Sequence, residues 1–320
     1  MFAYFIKRLL AAVPTLIIVA FAVFMMLELS PGDPAELIAG DTATPEQIAA
    51  IRAQLNLDQP FVARAVAWVG QLGTGDLGVS LYTRIPVSEL IAQRIEPSLV
   101  LTVVTILLAT FIGIPLGVLA AVRVGSILDR IVMFISVLGF SVPVFIVGYA
   151  LVLIFATNLG LLPAQGYSPL SDGLWGTLRA VIMPAFALGG VYMAQIARVT
   201  RAAMLEVLSE DYVRTARAKG VKSTIILFRH ALPNAAIPIV TVIGFGVGAM
   251  LGGVVVTETV FNIPGLGRLA ADSILRRDYP VIQALTLIFA FIYVAVNLAV
   301  DLSYGFFDPR VRAWGKGGHA

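Results

Sequence analysis

The stretch from Arg198 to Pro233 concentrates the side chains of this 320-residue chain that could do chemistry. It is basic and largely polar, and it lies between two apolar runs that are each long enough to cross a bilayer. Charged side chains beside an apolar stripe can bind a protein partner or can rest on anionic lipid. The sequence of the stretch leaves both interpretations open.

Within this stretch the pattern predicts a helix, a turn and a short second helix. Apolar residues recur at helical spacing at Leu205, Leu208, Tyr212 and Ala216, and charged residues occupy other faces at Glu210, Arg214, Arg217 and Lys219. Gly220 is predicted to end the first helix, because glycine adopts the left-handed cap without strain. The second helix is predicted to take Ser223 or Thr224 as its N-cap, to present Ile225, Phe228 and Leu232 on one side, and to stop at Pro233.

Composition places the chain in a membrane. Hydrophobic residues make up 59% and charged residues 13% of the sequence, and the mean hydropathy is +0.93, whereas about a quarter of the residues of soluble domains are charged. The net charge of +3 comes without a nucleic-acid-binding module. Cysteine is absent, and the two histidines, His230 and His319, lie outside the apolar runs. We therefore expect no thiolate metal site and no haem held by two histidines within the membrane.

Six segments are long enough to span a bilayer as helices, since roughly 20 residues are needed. They comprise residues 9–29, 98–122, 131–156, 181–199, 236–257 and 281–300. The first apolar run is longer than the core of a signal peptide, so we expect an uncleaved span.

The distribution of Lys and Arg predicts the orientation. With the N-terminus inside, 14 of the 22 Lys and Arg residues fall on the inner side and eight on the outer side. Four of those eight lie in the long first loop, where charge has little influence on topology. Both termini and the basic stretch are therefore predicted to be cytoplasmic.

The outer loop from Ser30 to Pro97 is too long for a simple connection and has helix signals of its own. Thr44, Pro45 and Gln47 form a capping box with proline at the first helical position, followed by an apolar stripe at Ile48, Ile51 and Leu55. A second helix is predicted to begin near Asp58, to present Phe61, Ala65, Trp68 and Leu72, and to stop at Gly73 to Gly75. The loop is interpreted either as a folded cap over an external mouth or as an amphipathic element on the headgroups.

Among Asp, Glu, Lys, Arg and His, the predicted spans contain only Glu28 and Arg198, each near a span end. Transporters driven by protons or sodium place ionisable groups at mid-membrane, so the energy for transport is not expected to enter there. A phosphate-binding loop ending in Gly-Lys-Ser or Gly-Lys-Thr is also absent, since Gly315-Lys316 is followed by Gly317. We predict no catalytic residues, no metal site and no cofactor in this chain.

Small residues repeat every four positions at Gly244, Gly248 and Gly252, and again at Gly113 and Gly117. They predict close helix packing within one subunit or, alternatively, a subunit interface or a moving gate. Pro143 removes a backbone donor and is predicted to bend the third span. Six polar residues are predicted either to line a path or to form hydrogen bonds between helices: Thr105, Ser141, Gln195, Thr241, Thr286 and Asn297.

Ten residues from Asp211 to Gly220, followed by His230-Ala231-Leu232-Pro233-Asn234, resemble the cytoplasmic coupling loop of permease subunits of bacterial ATP-binding-cassette importers. Arg214, Thr215 and His230 depart from the broad importer pattern in ways that are typical of its dipeptide, oligopeptide and nickel branch. Other motifs similar to that branch follow in the same order along the chain: Pro31-Gly32-Asp33-Pro34, Leu57-Asp58-Gln59-Pro60, Gly75-Asp76-Leu77-Gly78, Glu258-Thr259-Val260-Phe261, Pro264-Gly265-Leu266-Gly267-Arg268-Leu269 and Asp308-Pro309-Arg310.

The resemblance implies an all-α integral membrane protein with six transmembrane helices of the type I importer permease kind and a helical outer loop between helices 1 and 2. It divides the chain into residues 1–29 (cytoplasmic N-terminus and first span), the extracytoplasmic loop 30–97, the permease core 98–300 and a cytoplasmic tail 301–320. Within the core, residues 198–235 would form the coupling loop. The implied coupling residues are Asp211, Tyr212, Arg214, Ala216, Arg217, Lys219, Gly220, His230, Leu232 and Pro233.

The implied partners in the bacterial inner membrane are a homologous permease, two ATP-binding subunits that carry ATP and Mg, an extracytoplasmic solute-binding protein and membrane lipid, with no nucleic acid. The implied function is to form half of a path for di- and oligopeptides. Nickel, glutathione or another small solute is an alternative substrate. A non-transporting scaffold whose basic loop binds lipid is an alternative of a different class.

Overall fold

The computed structural model describes residues 2–29, 33–40 and 43–307, and most of that part of the chain is helical. The α-helices are α1 (Phe2–Glu28), α2 (Pro34–Ala39), α3 (Pro45–Gln54), α4 (Phe61–Gly73), α5 (Val87–Val122), α6 (Ile127–Ser141), α7 (Val144–Leu151), α8 (Leu174–Leu208), α9 (Asp211–Ala218), α10 (Ser223–Ile225), α11 (Leu232–Asn234), α12 (Ala236–Val260), α13 (Leu266–Leu275) and α14 (Tyr279–Phe307). Two π-helical runs, Val152–Asn158 and Ile226–Ala231, and a 3₁₀ turn, Leu170–Asp172, complete the described helical structure.

Four helices, α1, α5, α8 and α14, are each long and apolar enough to cross a membrane. Two bent pairs raise the number to six when each pair counts as one span: α6 with Val144–Asn158, bent by 105°, and Ser223–Asn234 with α12, bent by 60°. The bend in the first pair lies at Val142 and Pro143, as predicted. Two helices extend beyond the predicted spans, since α5 begins at Val87 and α8 extends from Leu174 to Leu208.

The core of the bundle is the contact between α5 and α8, the most extensive between any two described helices. The two helices run in the same direction with their backbones close together. A Cβ atom on Gly113 would lie 2.9 Å from the carbonyl oxygen of Met193, and one on Gly117 would lie 2.5 Å from that of Ala197. Glycine at these two positions therefore sets the separation of α5 and α8, and α12 packs against both helices.

The glycine repeat of α12 packs against α14 of the same chain at two of its three positions. A side chain on Gly244 would overlap Val300, and a Cβ atom on Gly248 would lie 2.7 Å from the ring of Tyr293. Gly252 does not pack closely within the chain, since it is exposed and a Cβ atom there would have no atom of the described residues within 4 Å; the alternative of a subunit interface or a gate stays a prediction at this position. The neighbouring Gly253 is the close contact instead, because a Cβ atom on it would lie 2.7 Å from Leu188.

Helices α2, α3 and α4 lie at one end of the bundle, called the loop end (residues 33–86). The predicted capping box is present, since the Thr44 amide donates to Gln47 Oε1 at 2.9 Å and the Gln47 amide donates to Thr44 Oγ1 at 3.4 Å. In α4, Phe61 and Trp68 pack against Phe24 of α1, with ring centroids 5.5 and 5.4 Å apart. Apolar stripes in this segment thus dock α4 on the first span. The side chain of Glu28, residues Pro31 and Gly32, and residues 308–320 lie outside the described part of the structure.

Near the loop end, a fully buried carboxyl group on α12 holds the start of α13. Glu258 accepts hydrogen bonds from the Ser98 hydroxyl of α5 at 2.5 Å and from the Arg268 amide at 2.8 Å. Ser98 Oγ in turn accepts from the Leu266 amide at 2.7 Å. Amide groups in the first turn of a helix lack partners within that helix, and here side chains of two other helices supply them.

The glycines of the Pro264 to Leu269 motif make room for this arrangement. A Cβ atom on Gly265 would overlap the Glu258 carboxyl group, and one on Gly267 would lie 2.8 Å from Val255 Cα. The spacing between Glu258 and the two glycines is therefore a steric requirement of one buried cap. Asp278, just before α14, is a second buried carboxyl group, and it accepts from the Ser80 hydroxyl at 2.5 Å and from the Leu81 amide at 3.0 Å.

We predict that Gly265→Ala destabilises the protein by about 1–3 kcal/mol, because the new methyl group forces the Glu258 carboxyl group off its donors. The backbone of Gly265 has φ −104°, which alanine also adopts, so the effect would report on the lost space alone. The measurement is the midpoint of thermal unfolding of the purified protein in detergent. Gly252→Ala is the matched control, and we expect no loss of stability there, since alanine is favoured over glycine within a helix. Equal midpoints for the two variants would contradict the assignment of Gly265.

Candidate functional site

Residues 209–235, called the coupling segment, lie at the opposite end of the bundle, where α8 ends and α12 begins. The segment starts at a break between two helices. After Leu208 the backbone becomes extended at Glu210, with φ −66° and ψ 148°, and α9 begins at Asp211. An acidic residue in the first turn suits the positive end of the helix dipole. The predicted amphipathic helix from Leu205 to Ala216 is therefore wrong as one helix, because it is divided between α8 and α9.

The end of α9 is as predicted. Its last helical residue is Ala218, and Gly220 follows with φ +76°, a left-handed conformation. The Gly220 amide donates to the Arg217 carbonyl at 2.9 Å, and the Val221 amide donates to the Ala216 carbonyl at 3.2 Å. These bonds close the helix and turn the chain back toward the bundle.

The second helical run differs from its prediction at both ends. Lys222, without a side-chain cap, precedes the first helical residue, Ser223, and the run continues past Pro233 to Asn234. Pro233 lies in the first turn of α11, where a missing backbone donor costs little. Between α10 and α11 lies a π-helical run, Ile226–Ala231. The α-helical periodicity of the sequence does not predict it, because a π-helix has more residues per turn than an α-helix.

The π-helical run decides which side chains of the segment are buried. Ile226 and Ala231 point into the protein, with exposed fractions of 2% and 0%. The predicted apolar side points the other way, since Ile225 and Phe228 are exposed at 43% and 66%, and Leu232 is half-buried. The coupling segment thus presents an aromatic side chain to its surroundings.

The segment is attached to three spanning helices. Ala231 and Ala235 belong to a buried cluster with Val118 and Ala121 of α5, Ala203 and Met204 of α8, and Ile239 of α12. Tyr212 and Asn234 link its two limbs, because the Asn234 Nδ2 donates to the Tyr212 hydroxyl at 3.1 Å. A displacement of the coupling segment would therefore be transmitted to α5, α8 and α12 together.

Most of the predicted coupling residues lie on the exposed surface of the segment. Asp211, Tyr212, Arg214, Arg217, Lys219, Gly220 and Pro233 are exposed, whereas Ala216, His230 and Leu232 are half-buried. Arg214 pairs with Asp211 at 3.3 Å, a contact between exposed groups that adds little stability. Arg217 lies at the edge of an apolar groove lined by residues of α5, α8 and the segment, including Leu205, Leu208, Ile226 and Leu227.

Sequence reasoning missed an ion pair beside the segment. The Arg201 guanidinium of α8 donates to Asp129 of α6 through Nε at 2.5 Å and Nη2 at 2.8 Å, and the Asp129 side chain is nearly buried. This paired contact joins the start of α6 to the end of α8. The sequence offered one local signal for the position of Asp129, the N-cap residue Ser126 three positions before it. The Ser126 side chain accepts a hydrogen bond from the Asp129 amide at the start of α6. The partner on α8 lies 72 positions away, beyond any local pattern.

Among the described residues there is no cluster of three or more His, Cys, Asp or Glu side chains that could hold a metal ion. The coupling segment combines exposed cations, two exposed aromatic rings (Tyr212 and Phe228) and a neighbouring apolar groove. Such a surface is suited to binding another protein by burial of the rings and by charge complementarity.

Known protein families match most of the chain. Residues 113–313 match the family described as binding-protein-dependent transport system inner membrane component. Residues 1–102 match the family of its N-terminal part.

The chain is 46% identical over 309 residues to a protein of Sinorhizobium fredii named as a probable peptide ABC transporter permease, covering 97% of this chain and 99% of that protein. It is 45% identical over 312 residues to the glutathione transport system permease protein GsiC of Salmonella typhimurium and of Escherichia coli K12, covering 98% of this chain and 99% of each relative.

The fold is similar to a chain in the solved inward-facing structure of the MetNI methionine ABC transporter, with a TM-score of 0.58. That match has 21% sequence identity and covers 69% of this chain and 97% of the other. The chain therefore belongs to the family of binding-protein-dependent transport system inner membrane components, and it is a multi-pass permease subunit of an ABC importer with the type I permease fold.

Proposed function

We propose that this permease subunit forms half of a path for di- and oligopeptides and that it couples the path to ATPases on separate subunits. The observation that carries the coupling assignment is the structure of residues 209–235. Their outer surface exposes Phe228 and five cations, and their inner surface packs against α5, α8 and α12. One partner bound to the outer surface would thus act on all three helices.

The complete importer would comprise this chain, a homologous permease, two ATP-binding subunits and an extracytoplasmic solute-binding protein, surrounded by membrane lipid. ATP and Mg would bind to the ATPase subunits, and this chain would hydrolyse no nucleotide itself. The coupling segment and both termini would face the cytoplasm, an orientation supported by the excess of Lys and Arg on that side. Nucleotide-driven closure of the ATPases would then move the coupling segments of the two permeases.

The proposed substrate rests on similarity over nearly the whole chain. The Sinorhizobium fredii relative is named for peptides and the Salmonella relative for glutathione, with identities of 46% and 45%. Glutathione is the second candidate on that observation. Peptides are favoured by the motifs that this chain shares with the peptide branch.

We predict that Phe228→Ala lowers the amount of ATPase that co-purifies with the assembled importer, because the ring is exposed at 66% on the proposed docking surface. Loss of a central buried aromatic residue at an interface costs about 2 kcal/mol or more, which is roughly a 30-fold weaker association. The measurement is the ratio of ATPase to permease after affinity purification in detergent.

The matched control for Phe228 is Ile127→Ala, since Ile127 is exposed at 76% in the first turn of α6, outside the coupling segment. A second variant, Gly220→Pro, tests the turn itself, because proline cannot adopt φ +76°. Both Phe228→Ala and Gly220→Pro should reduce ATPase recovery while the permease still inserts in the membrane. If both variants retain the ATPases as wild type and Ile127→Ala do, the docking assignment is wrong.

The substrate proposal predicts that the assembled importer takes up dipeptides and short oligopeptides and that glutathione competes weakly. The measurement is uptake of a radiolabelled dipeptide into cells that lack their own peptide importers, with unlabelled glutathione or an unlabelled tripeptide as competitor. Much stronger competition by the tripeptide than by glutathione is expected. Saturable glutathione uptake that peptides do not inhibit would assign the second candidate instead.

A further inference from the structure

Helix α4 turns its polar side chains toward the rest of the protein. Apart from the indole of Trp68, only Arg64 and Gln71 among its 13 residues carry a polar side-chain group. These two residues are seven positions apart, which is about two helical turns, so they lie on one face. Both line a cavity of about 140 Å³ together with Asp76 and residues of α1 and α14, and Arg64 is buried. The polar face of α4 therefore faces the bundle.

The opposite face of α4 is an exposed stripe of valines. Val62, Val66 and Val69 recur at spacings of four and three and are exposed at 69%, 68% and 60%. A step of two residues turns an α-helix by about 200°. Arg64 follows Val62 by two residues, and Gln71 follows Val69 by two, so the valines lie opposite the polar face. A helix that borders water has the reverse arrangement, with its polar face outward.

The neighbouring helix α3 has that reverse arrangement. Ile51 points into the protein with an exposed fraction of 8%, whereas Glu46, Gln47 and Ala50 are exposed. The outer face of α3 is thus suited to water. The outward apolar stripe distinguishes α4 from α3, although the two helices belong to the same loop.

The contacts of α4 place it at the level of the bilayer. Phe61 and Trp68 pack against Phe24 of α1, which lies within the apolar run Leu9–Met26, two residues from its end. At 1.5 Å per residue, that distance is about 3 Å. Phe21, three residues earlier and hence next to Phe24 on the helix surface, is exposed at 60%, as expected of a side chain that faces lipid. The exposed surface of α4 is therefore adjacent to the lipid-facing surface of α1.

Polar side chains within the spans are also kept away from lipid. Five of the six polar residues considered from the sequence bond within their own helix and not between helices, each to the carbonyl four residues earlier: Thr105 at 2.7 Å, Ser141 at 3.1 Å, Thr241 at 2.6 Å, Thr286 at 2.8 Å and Asn297 at 2.9 Å. In lipid, a polar group must find its partner inside the protein. Helix α4 meets the same requirement by turning Arg64 and Gln71 toward the cavity.

We propose that α4 is an interfacial helix, with Val62, Val66 and Val69 in contact with the acyl chains of the leaflet at the loop end. Such a helix lies in the membrane plane with its apolar face about 5–10 Å deep in the headgroup and acyl boundary. Tryptophan is enriched at this level, in agreement with the position of Trp68. Of the two interpretations of the outer loop, the amphipathic element on the membrane then holds for α4. Lipid would anchor the loop end beside α1, whichever solute the importer carries.

The test uses the absence of cysteine from this chain. Single cysteines replace Val66, Ala50 of α3 as the control in water, and Phe21 of α1 as the control in lipid, within the complete importer in lipid nanodiscs. The measurement is the rate at which a charged maleimide alkylates the gel band of this chain. Val66→Cys should react about tenfold or more slowly than Ala50→Cys and about as slowly as Phe21→Cys. Apolar surroundings raise the thiol pKa, and each unit lowers the reactive thiolate fraction about tenfold.

A photoactivatable phospholipid identifies what covers the stripe. The lipid carries a diazirine near the carbonyl end of one acyl chain, and its crosslinks to this chain are mapped by mass spectrometry after illumination. Crosslinks are expected on residues 61–73 of α4 and on α1, and they should be absent from residues 45–54 of α3.

A charge on the stripe provides an independent check. Val66→Asp should lower the midpoint of thermal unfolding of the importer in nanodiscs, because a carboxylate is costly within the apolar part of a membrane. Ala50→Asp is the matched control, since it places the same group on the exposed face of α3, and its midpoint should equal that of wild type. Equal midpoints for the two variants would contradict the proposal.

Two results of the labelling experiments would overturn the proposal. If Val66→Cys is alkylated as fast as Ala50→Cys, the stripe lies in water. If alkylation is slow but no lipid is crosslinked to α4, another protein covers the stripe; a rise in the rate when the solute-binding protein is omitted would identify that protein as the cover. None of these measurements uses a transported solute, so the proposal and the proposed function can fail separately.

Discussion

The close approach of α5 and α8 is the constraint on which the remaining structure depends. Gly117 brings the α5 backbone so near the Ala197 carbonyl that any side chain would separate the helices. The hydrophobic effect does not drive helices together in lipid. Close packing of helices, as at Gly117, therefore stabilises the bundle. Because α12 packs across the same pair, the distance between α5 and α8 fixes the base of the coupling segment.

Different interactions hold the structure together at the two ends of the bundle. At the loop end, the buried carboxyl groups of Glu258 and Asp278 fix α13 and the chain before α5 through hydrogen bonds. At the other end, the coupling segment is held by small apolar side chains such as Ala231 and Ala235. Hydrogen-bonded carboxyl groups hold one geometry, whereas apolar contacts permit small sliding movements. The loop end is thus held by directional hydrogen bonds, and the coupling segment is held mainly by apolar packing.

Much of the fold could be predicted from the sequence because membrane insertion imposes strong local signals. Apolar length located the six spans, Pro143 located the bend, and Thr44 and Gln47 located a capping box. The end of α8 could not be predicted from the sequence, because the helix continues beyond the apolar run through the charged residues Arg198 and Arg201. Arg201 is paired with Asp129, which lies 72 residues earlier in the chain.

The residues of the candidate site also differ in whether a local sequence pattern could predict them. Gly220 has a local requirement, its positive φ, and its position at the end of α9 was predictable. The exposure of Phe228 depends on a π-helical run that no periodic pattern reveals, and the burial of Glu258 depends on contacts with α5 and α13.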